Sequence, residues 1–401
     1  MNIKKNIYIS LLLLSSSSLL YGCSSSTVND TSTVTENNTA IKENTARISA
    51  VGDIMVHGKQ LTAQRNSDGT YNFENNFRLI NKYIKNSDLS IANLETTINK
   101  DKAISSYPSF NSPSELLDSL KSTGFDVIST INNHSLDSGQ SGVYNTINEL
   151  KERGFDYVGT QLTEDEKNYI VKEINGINIG ISSFSYAQET RSNSYLNGIP
   201  SGKSKNLLNT IDETSVSKSF DTIKKEVDLM KSENCDFIIL NIHWGEEYKQ
   251  IPSTYQKELA RLLINEGVDV ILGSHPHVVQ PIEKITSDDG QHEGIVFYSL
   301  GNIISNQQEE EMGFNMSENG ILPIIDIKKV DNDTYIENIS YIPTWVHRKE
   351  VNSEKRYEYT IIPLNKDLEK IAFEENINLD DLITSLEDTK SAVNNDSINI
   401  Y

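Results

Sequence analysis

Val268-Asp269-Val270-Ile271-Leu272-Gly273-Ser274-His275-Pro276-His277 is the stretch on which the fold of this chain turns. Its β-branched and aliphatic run fits a strand buried on both faces, and the run stops at Gly273-Ser274, so both histidines fall just past the strand's carboxyl end. Open α/β sheets place their sites at that end. Pro276 fixes the backbone between the histidines, and a turn there would aim both imidazoles at one centre or at two adjacent ones. Neutral imidazole is a common metal ligand. The alternative is a surface turn carrying two solvated rings.

The same grammar recurs along the chain. Ile48 to Gly52 reads as a strand that ends at Asp53, with His57 four residues on; Asp88 to Ala92 delivers Asn93-Leu94-Glu95. Phe125 to Ile131 leads into Asn132-Asn133-His134, with Asp137 and Gly139 following, and Phe237 to Ile242 delivers His243-Trp244-Gly245-Glu246-Glu247. Gly294 to Leu300 ends in Gly301-Asn302. Helical periods separate these runs: 141–152, 218–232 and 254–265, and a helix opened by Ser112-Pro113-Ser114-Glu115 as a capping box. Strand, polar cluster and helix in alternation predict an α/β fold with a largely parallel central sheet. Such a sheet brings Asp53, Glu95, Asn133, His134, His243, His275 and His277 to one edge. Residues 185–212, polar and without period, are expected to be a lid or binding loop. Strands around Asp331-Asn332-Asp333, and a further one at 357–363, are antiparallel and expected to complete a second sheet.

The amino terminus has a different character. Lys4 and Lys5 precede an apolar run from Ile7 to Leu14, and Leu20-Tyr21-Gly22-Cys23 follows a serine patch. This reads as a secretory signal too short to span a membrane, and its ending resembles a lipobox in which Cys23 becomes the lipidated first residue, the alternative being an ordinary signal peptide that ends near a cysteine. The expected organisation is a signal peptide over 1–22, a flexible polar linker over 23–45, a main domain over 46–305, completing strands over 306–365 and a peripheral helical tail over 366–401. The partner implied is the membrane, reached through the lipid anchor on the extracytoplasmic face. A net charge of -21 excludes nucleic acid as the natural partner. Of the two cysteines, Cys235 is left alone and is expected to be a buried thiol, so no intramolecular disulfide forms.

Oxygen and imidazole donors without an available thiolate suit Mn, Fe, Zn or similar ions. Seven donors exceed what one tetrahedral ion uses, and two divalent ions sharing a carboxylate would account for them. Trp244, Glu247 and Asn302 are the expected substrate-pocket residues, with core packing the competing reading for Trp244.

Taken together, Gly52-Asp53, Asn93-Leu94-Glu95, Asn132-Asn133-His134 with Asp137 and Gly139, His243 to Glu247, Gly273 to Val278 and Tyr298 to Asn302 resemble the CapA family of poly-γ-glutamate capsule biosynthesis, within the calcineurin-like metallophosphoesterase superfamily. The resemblance covers about residues 46–305 and implies a metallophosphoesterase-like sandwich of mixed, largely parallel sheets flanked by helices. It implies Asp53 and His277 on a first metal, Glu95 bridging, Asn133, His243 and His275 on a second, and His134 as the catalytic acid. Two departures stand out. The superfamily's Asp-x-His opening is replaced by one that puts His57 four residues after Asp53, which leaves His57 an open candidate for the first metal, and its bridging Asp is replaced by Glu95. The implied role is a surface lipoprotein acting on a polyanionic envelope polymer or within its synthesis complex, as a metal-dependent hydrolase or as a non-catalytic assembly component. A transporter's substrate-binding lipoprotein would share the anchor and the sheet but leave the ligand set unexplained.

Overall fold

Strand β1 (Glu43–Ile54) runs through the middle of a nine-stranded sheet in the computed structural model, which describes residues 43–351 and 356–401. On one side it pairs in parallel with β2 (Leu89–Leu94), followed by β3 (Val127–Ser129) and β4 (Asp156–Val158). A second sheet comes next in the chain. Its middle is β6 (Ile177–Tyr186), β11 (Phe237–His243), β12 (Val270–Ser274) and β14 (Glu293–Phe297), all parallel. The hairpin strands β5 (Tyr169–Ile174) and β13 (Ile282–Thr286) flank them, and β10 (Thr210–Ile211) pairs β6. The chain then returns to the first sheet through β15 (Asn302–Ile304), β16 (Asn319–Val330), β17 (Asp333–Glu350) and β18 (Tyr357–Pro363).

Alternation along the strands makes this a sandwich. In β11, Phe237 and Ile239 join Ile48, Ile91, Ile179, Leu272 and Ile325 in a core drawn from both sheets, while Ile238, Leu240 and Ile242 join the core under helices Val216–Ser232 and Thr254–Asn265. Each such side chain, fully removed from water, contributes about 1.5–3 kcal/mol. Helix Thr254–Asn265 is set by a reciprocal cap, the Ser253 hydroxyl accepting from the Gln256 N–H at 3.2 Å and the Gln256 side chain accepting from the Ser253 N–H at 2.9 Å. Among the described residues no helix is long and apolar enough to cross a membrane.

Several sequence expectations change here. The donors sit at the carboxyl ends of two facing sheets rather than along the edge of one. The late strands extend the first sheet, β16 pairing antiparallel with β1, instead of building a second. The linker expected to reach residue 45 stops earlier, because Glu43, Asn44 and Thr45 pair with Val330, Lys329 and Lys328. Helix Glu115–Thr123 starts after the expected capping box, and the Ser112 hydroxyl bonds Thr96 at 2.8 Å instead. The tail from 366 is not simply peripheral. Helix Leu379–Val393 buries Leu382 and Val393, and β19 (Asn399–Ile400) pairs with Ser340 and Tyr341 of β17. Cys235 is half-buried, and burial raises its thiol to about 11, which makes it inert. Residues 1–42, with Cys23 and the signal and linker expectations, lie outside the described residues.

Candidate metal centre

Two glycines let the strands approach where the site begins. A Cβ on Gly52 would lie 2.0 Å from the Gly301 carbonyl oxygen, and one on Gly273 would lie 2.0 Å from that of Tyr298. Only glycine fits at these crossings, one residue before Asp53 and two before His275. Beyond β12 the backbone turns sharply, with His275 at φ 98° and His277 at φ 57°. L-residues hold that left-handed conformation at a cost of about 1–3 kcal/mol each, which surrounding contacts must impose. The turn around Pro276 folds both imidazoles inward, their centroids 5.8 Å apart.

Asp53 is fully buried and organises one half. Its Oδ1 accepts from the Asn93 amide at 2.8 Å; its Oδ2 faces His277 Nδ1 at 3.0 Å and the His275 N–H at 3.3 Å. Burial alone would raise its pKa, but the His277 hydrogen bond and charge, and then Asn93, hold it below the usual carboxylate range. The other half centres on His243, whose Nε2 lies 3.0 Å from Asn133 Oδ1. Glu95 lies between the halves, with Oε1 3.5 Å from His243 Nε2 and 3.8 Å from His277 Nε2. It is wholly buried and neither of its oxygens has a hydrogen-bond partner; His275 Nδ1 is likewise without one. Burial, followed by the charge of Asp53, pushes Glu95 well above the usual range. Burial and then its neighbouring imidazoles depress His243 well below its ordinary value, and burial and then His277 take His275 to about 3.

Buried, unpartnered donors of this kind fit a cation. Ligating atoms of Glu95, His275 and His277, and separately of Asp53, Glu95 and His243, lie within 4.8 Å of one another. Glu95 belongs to both groups, as a residue shared by two ions must. His57 belongs to neither. Its Nδ1 accepts from the Asn306 N–H at 3.2 Å, its own N–H caps helix Gly58–Gln64 through Gln60 at 2.7 Å, and burial lowers its imidazole to about 4.

His134 stands beside the centre, its Nδ1 2.8 Å from Asp137 Oδ2, an oxygen that also accepts from the Phe110 N–H at 2.6 Å. Phe110 packs edge-on against the imidazole at 4.8 Å. Opposite it comes a residue that sequence reasoning passed over. The segment expected to be a loop folds as a small sheet of β7 (Gln188–Glu189), β8 (Ser194–Leu196) and β9 (Ile199–Pro200), anchored by the buried Leu196 beside Ile131 and Leu136. Its tip, Asn197 at φ 46° and Gly198 at φ 75°, has the positive φ pair of a type I′ hairpin. The Asn197 amide nitrogen lies 3.4 and 3.5 Å from the two ring nitrogens of His134. An Asn-Gly pair inside a polar stretch was the available signal. Asn197→Gly, which keeps the turn, is expected to change stability by less than about 0.5 kcal/mol while moving the His134 ring resonances in ¹H–¹⁵N spectra; unmoved resonances would remove Asn197 from the site.

The three expected pocket residues separate. Glu247 is exposed at the rim; burial is what chiefly raises Glu95, Tyr186 and Tyr248, and the charge of Glu247 adds to it. Asn302 is completely buried behind the site, donating to the carbonyls of His277 at 3.3 Å and Ser317 at 2.9 Å and to Gln307 Oε1 at 2.8 Å, so it braces the histidine turn instead of lining a pocket. Trp244 is a correction as well. Its ring points away from His243 into the core under the helices, stacked on Tyr298, because successive strand residues face opposite sides. Tyr186 and Tyr248 supply the aromatic walls instead, 4.7 Å from the His275 ring and 5.9 Å from the His277 ring.

Comparison with known proteins gives the context. A family model described as bacterial capsule synthesis protein PGA_cap matches residues 47–307. The capsule biosynthesis protein CapA of Bacillus anthracis is 32% identical over 272 residues, 65% of this chain and 60% of that protein. The PGA biosynthesis protein CapA of Bacillus subtilis (strain 168) is 27% identical over 266 residues, 65% of this chain and 63% of that protein. The chain thus spans less than two thirds of the length of either relative. The crystal structure of calcineurin-like phosphoesterase YfkN from Bacillus subtilis is similar over 88% of this chain and 100% of that one, with 14% identity and a TM-score of 0.40.

Proposed function

From the premise that the chain belongs to the bacterial capsule synthesis protein PGA_cap family, we propose that it acts in synthesis, export or processing of a poly-γ-glutamate-like capsule or cell-envelope polymer through a centre of two divalent ions. The observation that carries the metal reading is Glu95: a carboxylate fully buried, without a hydrogen-bond partner on either oxygen, and flanked by three imidazoles. Asp53, Glu95, Asn133, His243, His275 and His277 would hold the two ions between them, with Glu95 common to both close groups of donors. Such ions supply Lewis-acid chemistry at an ester or amide oxygen.

The chain's own residues do the rest. Asp137 fixes the His134 ring through Nδ1, which leaves Nε2 as the atom able to carry a proton to a departing oxygen. Phe110 and the 188–200 sheet close two sides of that imidazole and limit water there. The substrate is a phosphorylated or γ-glutamyl component of the envelope.

The test pairs elemental analysis of the purified full chain with a screen of phosphodiesters and γ-glutamyl peptides. About two divalent ions per chain, lost in His275→Ala, together with turnover that falls at least hundredfold in His134→Ala, is the expected result. Bound metal with no turnover on any substrate would favour an assembly role, and absence of bound metal would end the metal reading.

We place the mature protein on the extracytoplasmic membrane face, tethered through lipid on Cys23. Cys23→Ser is expected to shift it from the membrane to the soluble fraction or to block processing. Unchanged fractionation, with no lipid on the mature terminus, would count against the anchor.

A further inference from the structure

On the far side of Tyr248 from the metal centre lies a groove of about 640 Å³, within the size range of small-molecule sites. Two loops, one following His243 and the other following β15, build it together with the first turn of helix Thr254–Asn265, and polar side chains share the lining with apolar ones. The loops contribute Tyr248, Ile251 and Pro252 from the first and Phe314 and Met316 from the second. Ile251 is 78% exposed and Met316 37% exposed, a gathering of apolar side chains on a strongly acidic chain. Tyr248 is the shared wall, its ring 5.9 Å from that of His277 and 5.4 Å from that of Phe314.

The wall is held against its own preference. Tyr248 has φ 63°, a left-handed conformation that a bulky aromatic rarely adopts. Its N–H donates to the Pro276 carbonyl at 2.8 Å, between the two histidines, and its hydroxyl accepts from Gln307 at 3.0 Å. Gln307 in turn accepts from Asn302, which holds the His277 carbonyl. One network therefore fixes both the histidine turn and the aromatic wall.

We propose that this groove is a subsite for an unbranched alkyl group whose anionic head, a phosphate or phosphonate, reaches the metal centre past Tyr248. The head-group half of this rests on the metal reading above; the groove half does not. A polyanionic chain is a poor occupant of the groove itself, since Lys249 is the cation in its lining and Glu246 stands beside it. Apolar side chains left in water are better covered by hydrocarbon.

The experiment uses the full chain, loaded with the diamagnetic ion Zn²⁺, and n-alkylphosphonates from ethyl to octyl. Affinity by calorimetry is expected to rise about threefold per methylene until the groove is filled, somewhat under the value for complete burial. Phe314→Ala and Ile251→Ser should flatten that series while leaving inorganic phosphate binding within twofold. Methyl-¹³C methionine spectra give a second readout that does not depend on the metal. Octylphosphonate should shift Met316, assigned by Met316→Leu, and leave Met230, buried in the core under the helices, in place. A flat series with an unmoved Met316 on metal-loaded protein overturns the subsite. A Met316 shift in protein that binds no metal retains the groove and removes the metal reading. Equal octylphosphonate affinity with and without bound metal overturns the link between them.

Discussion

Replacing Glu95 with Gln is expected to raise the melting temperature of the metal-free chain at pH 8 and to abolish the further rise that a divalent ion produces. The metal-free protein buries this carboxylate without a hydrogen bond and against Asp53, so its charged form is opposed by burial first and by like charge second. A carboxyl whose folded pKa is raised contributes stability that is complete below its unfolded value of about 4.3 and is lost as pH climbs toward the folded value. Gln removes that loss. The imidazoles carry the opposite sign: His275, at about 3, and His243, also depressed, contribute stability that is complete above about 6.5 and lost as pH falls. The variant should therefore keep the acid limb of the wild-type profile and lose the alkaline one. In wild type, an ion present at a hundred times its Kd adds about 2.7 kcal/mol, or roughly 3 °C in a chain of this size. Scanning both proteins from pH 4 to 9, with and without Mn²⁺ or Zn²⁺, checks this. Equal ion-induced rises in the two would take Glu95 out of the centre.

The donors were legible in the sequence because each follows a short aliphatic run, and a run of that kind names a strand whose end can be read directly. Asp53, Glu95, Asn133, His243, His275 and His277 needed nothing more to be placed near one another. Which strands pair was not legible. Ile48, Ile239 and Leu272 are equally apolar whether they fill one sheet's face or the space between two, and pairing partners such as β1 and β16 lie nearly three hundred residues apart. Short pieces escaped for a different reason. Asn399 and Ile400, or Ser194 to Leu196, carry too few residues to show a period, and their pairing is decided by the surface they meet. The direction of a side chain immediately after a strand was the remaining gap: Pro276 pointed to a turn, but not to the left-handed φ at His275 and His277 that carries both rings inward.

Trp244→Ala is expected to lower the melting temperature by roughly 5 °C while leaving metal binding within a few-fold of wild type. The side chain is among the largest that are fully buried, packed with Tyr298 at 6.2 Å, and its Nε1 donates to the Tyr298 carbonyl at 3.0 Å. Truncating a buried Trp costs about 3–5 kcal/mol, through lost transfer energy and the cavity left behind. The centre should be spared because strand pairing of β11 with β6 and β12 fixes His243, and the Trp244 N–H to the Ser274 carbonyl, at 3.1 Å, survives the substitution. Trp244→Phe separates the two contributions. It restores most of the apolar volume and leaves a deficit that includes the hydrogen bond to Tyr298, about 0.5–1.5 kcal/mol. Thermal melts and metal titration of both variants decide the matter. A wild-type melting temperature with lost metal or ligand binding would return Trp244 to the pocket wall, against the orientation that alternation along β11 gives it.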